Sequence, residues 1–218
     1  METPPSDIPE AKFSKIKLAI KELLKKPAKY ASEKRQLKKA TQAKAIKDII
    51  IDLFKIVDLA YGTDYALYNV NLDTVPGYLF TFETGQQNKD KLVLIHGFGT
   101  TMATYYKMMP FFKKHFHVYA FDMYGMGCSY TDKVDASTPA EAHELYLKTI
   151  EEWRRSLDIN DFYLLGHSLG GYLSVHYLEK YMPTCKGVFL MSPAGMNHMP
   201  PNEVEDFMDG RSMVQKGF

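Results

Sequence analysis

Phe162-Tyr163-Leu164-Leu165-Gly166-His167-Ser168-Leu169-Gly170-Gly171 is the stretch that decides the fold of this chain. Its first four residues are apolar and bulky, as a buried strand requires, and a helical pattern runs from 169 to 181. Between them Gly166-His167-Ser168-Leu169-Gly170 fits G-x-S-x-G, with a further glycine at Gly171. A serine in that setting occupies a sharp strand-to-helix turn. Side chains at Gly166 or Gly170 would crowd the neighbouring backbone, and the turn pushes Ser168 Oγ out at the carboxyl ends of the strands. The backbone N–H of Leu169 then faces the place where an oxyanion would develop.

Outward from this stretch, the chain reads as strands alternating with helices. Strands are predicted over 65–72, 78–84, 91–95, 117–121, 162–165 and 187–191, and helices over 102–115, 139–157 and 169–181. Thr138-Pro139 opens the second of these helices, with proline at the first helical position. The alternation means an α/β fold with a mostly parallel sheet covered by helices on both faces. His96-Gly97-Phe98-Gly99 follows the third strand, where a second oxyanion donor belongs, and the Phe98 N–H is assigned that role. His96 and His167 are read as motif scaffold rather than bases. Asp122, after the fourth strand, is expected to fix its turn through backbone hydrogen bonds.

The first 60 residues have a different character. They hold 14 Lys and Arg against 8 Asp and Glu, whereas the remainder holds 13 against 18. Residues 12–26 form one amphipathic pattern (Phe13, Ile16, Ile20, Leu23, Leu24) and 31–60 a second (Ile46, Ile49, Ile50, Leu53, Phe54, Val57). Two uses fit it: packing on the body or a partner, and anchoring on an anionic membrane or lipid surface. The division expected is a basic helical extension over 1–60, a core over 61–195, and the start of a lid or tail over 196–218. A nucleic-acid binder is disfavoured, because no aromatic platforms interleave the lysines. Cys128 and Cys185 lack CxxC spacing, which argues against a zinc site and a disulfide framework, and no cofactor is implied. No apolar run reaches the ~18 residues of a membrane span.

Five stretches carry a resemblance to the α/β-hydrolase superfamily. They are His96-Gly97-Phe98-Gly99, Val118-Tyr119-Ala120-Phe121-Asp122 with Gly125-x-Gly127-x-Ser129, Ile150-Glu151-Glu152-Trp153-Arg154, Leu164 to Gly171, and Ser192-Pro193-Ala194-Gly195. Over about residues 64–195 the chain resembles the lysophospholipase and acyltransferase branch. That branch includes N-acyl-phosphatidylethanolamine lysophospholipases, the lipid-droplet co-activator of triglyceride lipase and fungal cardiolipin deacylases. The resemblance implies cleavage of acyl esters in phospholipids or lysophospholipids through a Ser168 acyl-enzyme. The co-activator type carries Asn at this position, so Ser168 sides with the hydrolysing members.

The resemblance also implies a triad in the order Ser, Asp or Glu, His, and here the sequence departs from it. Only 50 residues follow Ser168. Neither His176 nor His198 stands where the family's base stands, and Glu203, Glu205, Asp206 and Asp209 have no better claim to be the acid. The fold is thus expected to be truncated after about the sixth strand. His117 and Asp122 match an acyltransferase H-x-x-x-x-D spacing, but positions five apart on a strand point to opposite faces, and the match is read as coincidence. Activity is left open between a serine hydrolase whose acid and base lie on absent sequence and a non-catalytic scaffolding subunit whose open sheet edge is covered by a protein partner. The expected setting is intracellular, in the cytoplasm or on a membrane or lipid droplet, with mitochondria not separated from these by the first residues.

Overall fold

The computed structural model describes residues 32–130, 136–181 and 184–195, with side chains from residue 41 onward. In chain order the elements are α1 (Ser32–Lys55), β1 (Tyr65–Asn71), β2 (Tyr78–Thr84), β3 (Lys91–Ile95), a 3-10 turn (Met102–Tyr105), α2 (Met109–His115), β4 (His117–Phe121), α3 (Pro139–Ser156), β5 (Phe162–His167), α4 (Leu169–Tyr181) and β6 (Cys185–Met191). They build one six-stranded sheet in the order β1-β2-β4-β3-β5-β6. The β1–β2 and β2–β4 pairs are antiparallel, and β4, β3, β5 and β6 run parallel. This is the α/β class expected, with both faces of the central strands covered.

Strand alternation divides the core in two. Leu92, Leu94, Val118, Ala120 and Leu165 face one side, together with α1, the 3-10 turn and α2. Val93, Ile95, Tyr119, Phe121 and Leu164 face the other, against α3 and α4. Of the two uses open to the second basic helix, its later half shows the first. Ile50 and Phe54 are buried, Ile46, Leu53 and Val57 pack beside them, and the Phe54 ring stacks on Phe82 at 4.7 Å. Residues 12–26 and 196–218 lie outside the described residues.

One expected helix differs. The sequence pattern gave a single helix over 102–115, but the chain forms a 3-10 turn and then a separate helix beginning at Met109. Pro110 is the cause: it lacks an N–H and is tolerated only in the first turn, so the helix restarts there.

Ile150-Glu151-Glu152-Trp153-Arg154, noted above only for its resemblance, is the mechanical spine of α3. Trp153 is fully buried, its ring lying 4.4 Å from that of Phe121, and its Nε1–H donates to Thr81 Oγ1 at 2.9 Å. Glu151 accepts from Arg154 and from the Tyr177 hydroxyl of α4. Glu152 accepts the backbone N–H groups of Thr74 and Val75 and the Thr74 hydroxyl, tying the β1–β2 turn to α3. Thr138 caps α3 by accepting from Glu141 N–H, while Glu141 reaches back to Ser137 N–H.

The far edge is open. Val188, Phe189, Leu190 and Met191 of β6 are each more than a third exposed, and successive side chains point to opposite faces, so among the described residues both faces of this strand are only partly covered. Among the described residues no helix is long and apolar enough to cross a membrane. Glu152→Ala deprives the turn of its carboxylate acceptor and is expected to cost about 1–3 kcal/mol. Urea denaturation followed by circular dichroism checks this; an unchanged midpoint would mean that the turn stands without α3.

Candidate active site

Ser168 sits between β5 and α4 with φ +52°, a left-handed conformation that costs a non-glycine residue about 1–3 kcal/mol. Three backbone bonds hold it there. Its N–H donates to Met191 O at 3.0 Å, and its carbonyl accepts from Tyr172 N–H at 3.1 Å and Ala194 N–H at 3.0 Å. Ser192-Pro193-Ala194 at the end of β6 therefore braces the elbow from one side. The role of that stretch could not be derived from spacing.

The glycines of the motif mark contacts of backbone with backbone. A Cβ on Gly170 would lie 2.2 Å from Ile95 O and 2.5 Å from His96 O; one on Gly166 would lie 2.4 Å from both Gly170 O and Ser174 Oγ. Across the gap, a Cβ on Gly97 would stand 3.1 Å from Ser168 Cβ. The loop after β3 thus meets the elbow, as the sequence led one to expect. Phe98 at its tip is 70% exposed, and Gly99 takes φ +69° with open space around it. Among the described residues neither the Phe98 N–H nor the Leu169 N–H is taken by another group. The latter is one of the orphan donors that begin any helix.

His96 is fully buried and spends both ring nitrogens on the backbone. Nε2 accepts from Met123 N–H at 2.8 Å, so the proton resides on Nδ1, which donates to Gly97 O at 2.8 Å. Burial pushes its pKa down to about 4. A neutral imidazole with no free lone pair is a strut, not a base.

Asp122 is a second buried node. Oδ1 accepts from Met102 N–H and Oδ2 from Cys128 N–H, each at 2.8 Å, and its carbonyl accepts from the Ser129 hydroxyl. Gly127, at φ +54°, leaves room for that carboxylate: a Cβ there would be 2.1 Å from Oδ2. Burial pushes the carboxyl up to about 6, against the two amide bonds that favour its ionised form.

The other histidines are dispersed. His117 pairs with Glu83 at 2.7 Å at the start of β4, while Asp122 follows the end of the same strand, so the H-x-x-x-x-D spacing brings nothing together. Glu83 also accepts from Tyr68, a network that no sequence motif flags. His143 of α3 and His176 of α4 meet ring to ring at 5.0 Å beside Tyr172. His167 keeps a buried Nδ1 next to Gly97, without a hydrogen-bond partner among the described residues. His198 and the acids Glu203, Glu205, Asp206 and Asp209 lie outside the described residues. Among the described residues no cluster of three or more His, Cys, Asp or Glu could hold a metal ion.

Comparison with known proteins agrees with this fold. A family model described as "alpha/beta hydrolase fold" matches residues 91–218. The chain is 35% identical over 119 residues to the human 1-acylglycerol-3-phosphate O-acyltransferase ABHD5, covering 55% of this chain and 34% of that protein. It is 32% identical over 125 residues to the human (lyso)-N-acylphosphatidylethanolamine lipase, covering 57% and 36%. The match thus spans about a third of the length of these relatives. Among solved structures, a bacterial membrane phospholipase A superposes with a TM-score of 0.59 at 20% identity, covering 91% of this chain and 56% of that one. Naproxen esterase from Bacillus subtilis gives 0.62 at 15% identity, covering 84% and 57%. At such identities the structural likeness concerns the fold.

Two outcomes test this geometry. Gly170→Ala drives a methyl into two carbonyls and is expected to destabilise by about 3 kcal/mol, whereas Gly99→Ala adds only left-handed strain of about 1 kcal/mol. Urea midpoints compare the two. For Asp122, the unfolded carboxyl titrates near ~3.9, below its folded value, so the folded state binds the extra proton between them. Stability contributed there falls as pH rises from about 4 to about 6. The stability gap between wild type and Asp122→Asn is expected to narrow over that window; a gap independent of pH would mean an unshifted carboxyl.

Proposed function

The chain belongs to the α/β-hydrolase fold family, and from that premise we propose that Ser168 is the nucleophile of a serine hydrolase acting on acyl esters of phospholipids and lysophospholipids. The observation that carries this reading is the pair of unused N–H groups, Leu169 and Phe98, on the two segments that meet at Ser168. Ser168 Oγ adds to the ester carbonyl carbon while its proton passes to a general base. The carbonyl oxygen takes the negative charge and receives hydrogen bonds from the two N–H groups, a donor of this kind being worth about 2.7–4 kcal/mol. Collapse breaks the acyl–oxygen bond to glycerol, and the alcohol leaves with the proton. Water, deprotonated by the same base, then cleaves the acyl-enzyme to release the fatty acid and restore Ser168. Delivery of the acyl group to an alcohol instead of water would give acyl transfer.

No cofactor enters this scheme. Its base is assigned to none of the described histidines: His96 is spent on the backbone, His117 is paired with Glu83, His143 and His176 pack on each other, His115 lies against Phe111 on α2, and His167 is read as motif scaffold beside Gly97. Acid and base are assigned to residues outside those described. The phospholipid part of the reading is supported by the two curated relatives, whose names refer to acyl transfer onto a lysophospholipid and to lipolysis of an N-acylated phospholipid. One observation favours a second reading. The bare β6 edge, with Phe189 51% exposed, suits a non-catalytic subunit docked on a protein partner.

A fluorophosphonate probe on natively purified protein, with intact mass recorded before and after, separates the two. The hydrolase reading expects one adduct per chain, mapped to Ser168 and lost in Ser168→Ala. A natively folded chain with no adduct would sink it and turn attention to the β6 edge.

A further inference from the structure

We propose that the outward face of α2 and its preceding turn, carrying Lys107, Phe111, Lys114 and His115, is a contact surface for an anionic phospholipid membrane. The choice of lipid rests on the phospholipid reading above.

The sequence offered the second basic helix for such a contact. Its apolar stripe, however, is occupied, because Ile50 and Phe54 lie in the core. The segment between β3 and β4 is a different matter. From Phe98 to His115 it contains three lysines and no acidic residue. Through the turn and α2, Tyr105, Met109 and Phe112 point inward and are buried, while Lys107, Phe111, Lys114 and His115, at helical spacing, are exposed. Phe111 is 61% exposed, and its ring meets only those of Phe112 and His115 among aromatic neighbours. Lys113 is used by Asp64, but among the described residues neither Lys107 nor Lys114 has an acidic partner. The helix therefore carries a single protruding aromatic ring framed by uncompensated positive charge.

That composition selects the partner. Protein interfaces are depleted in lysine and need about 800 Å² per side, more than one ring supplies. A membrane surface asks for less: an aromatic side chain entering the acyl boundary, with lysines meeting lipid phosphates. The β6 patch is unlike this. It presents an unpaired strand edge, and its Lys186 is already bonded to Asp90, so it suits strand addition rather than lipid. The same β3–β4 segment also carries Phe98, the most exposed large apolar side chain among the described residues, in the loop that meets Ser168. A membrane held by α2 would therefore be held by the segment that forms one wall of the site.

Flotation of the full chain with phosphatidylcholine vesicles, with and without phosphatidylserine, tests the proposal. Wild type should float with the phosphatidylserine vesicles, and high salt should release it. Phe111→Ser and the double change Lys107→Glu with Lys114→Glu should each weaken binding about tenfold. All three side chains are exposed, so folding should persist, with the emission of the sole tryptophan, buried Trp153, as the check. Ile16→Asp with Ile20→Asp separates any contribution of residues 12–26. The proposal is overturned if wild type ignores both vesicles, which would point to a protein partner. It is equally overturned if only the change at residues 16 and 20 abolishes flotation while the α2 variants bind as wild type does. Vesicle binding needs no catalytic base, so a missing Ser168 adduct would sink the hydrolase reading and leave this result readable.

Discussion

Everything around Ser168 depends on one crossing of backbones. The end of β3 and the first turn of α4 touch at Gly170, whose Cα faces the Ile95 and His96 carbonyls with no room for a methyl. Without that approach α4 would stand further from the sheet, and Ser168 would not be forced to φ +52°. The strain does not maintain itself. It persists because Met191 O, Tyr172 N–H and Ala194 N–H hold the Ser168 peptide groups on three sides, drawing on β6 and α4 together.

The loop facing Ser168 is held by a similar economy of buried polar groups. His96 bridges Met123 N–H and Gly97 O, while Asp122 ties the start of the 3-10 turn to the loop ahead of Cys128. His96 bonds the backbone through both ring nitrogens, with Thr100 Oγ1 also 3.3 Å from Nδ1, and the Asp122 carboxylate bonds two backbone N–H groups, so each fixes the course of the chain where secondary structure does not. Removing either side chain would not free a catalytic group. It would loosen the wall against which Ser168 is set.

How far the sequence could be read follows from the same physics. The elbow, its glycines and the His96–Gly99 loop were legible because a tight backbone approach permits few residue types. The packing of α1 was not, since Ile50 and Phe54 make an apolar stripe that serves a core or a lipid surface equally well. The break at Pro110 was legible in principle, but the helical pattern on both sides of it masked the proline. Glu152 and the Tyr68–Glu83–His117 network were illegible, because their partners are 15 to 78 positions away and no local spacing encodes them. The same holds for the brace from Ala194 N–H to Ser168 O.

The absence of a base among the described histidines bears on how the site should be regarded. A nucleophile elbow is costly to maintain: a strained serine, glycines that no side chain can replace, and a buried imidazole held neutral. A chain that used this sheet only as a scaffold would gain stability by relaxing φ at Ser168, and strain of this kind persists where the surrounding structure over-determines it. The strained φ stands together with N–H groups at Phe98 and Leu169 that no described residue takes, which a purely structural loop would tend to pair. Strain and unpaired donors at one point are features that oxyanion chemistry uses and that packing alone disfavours. That combination supports the hydrolase reading proposed above. The bare β6 edge concerns what covers the other side of the elbow, since Met191 and Ala194 already reach Ser168 from there. Anything pairing with β6 would bear directly on the turn that carries Ser168.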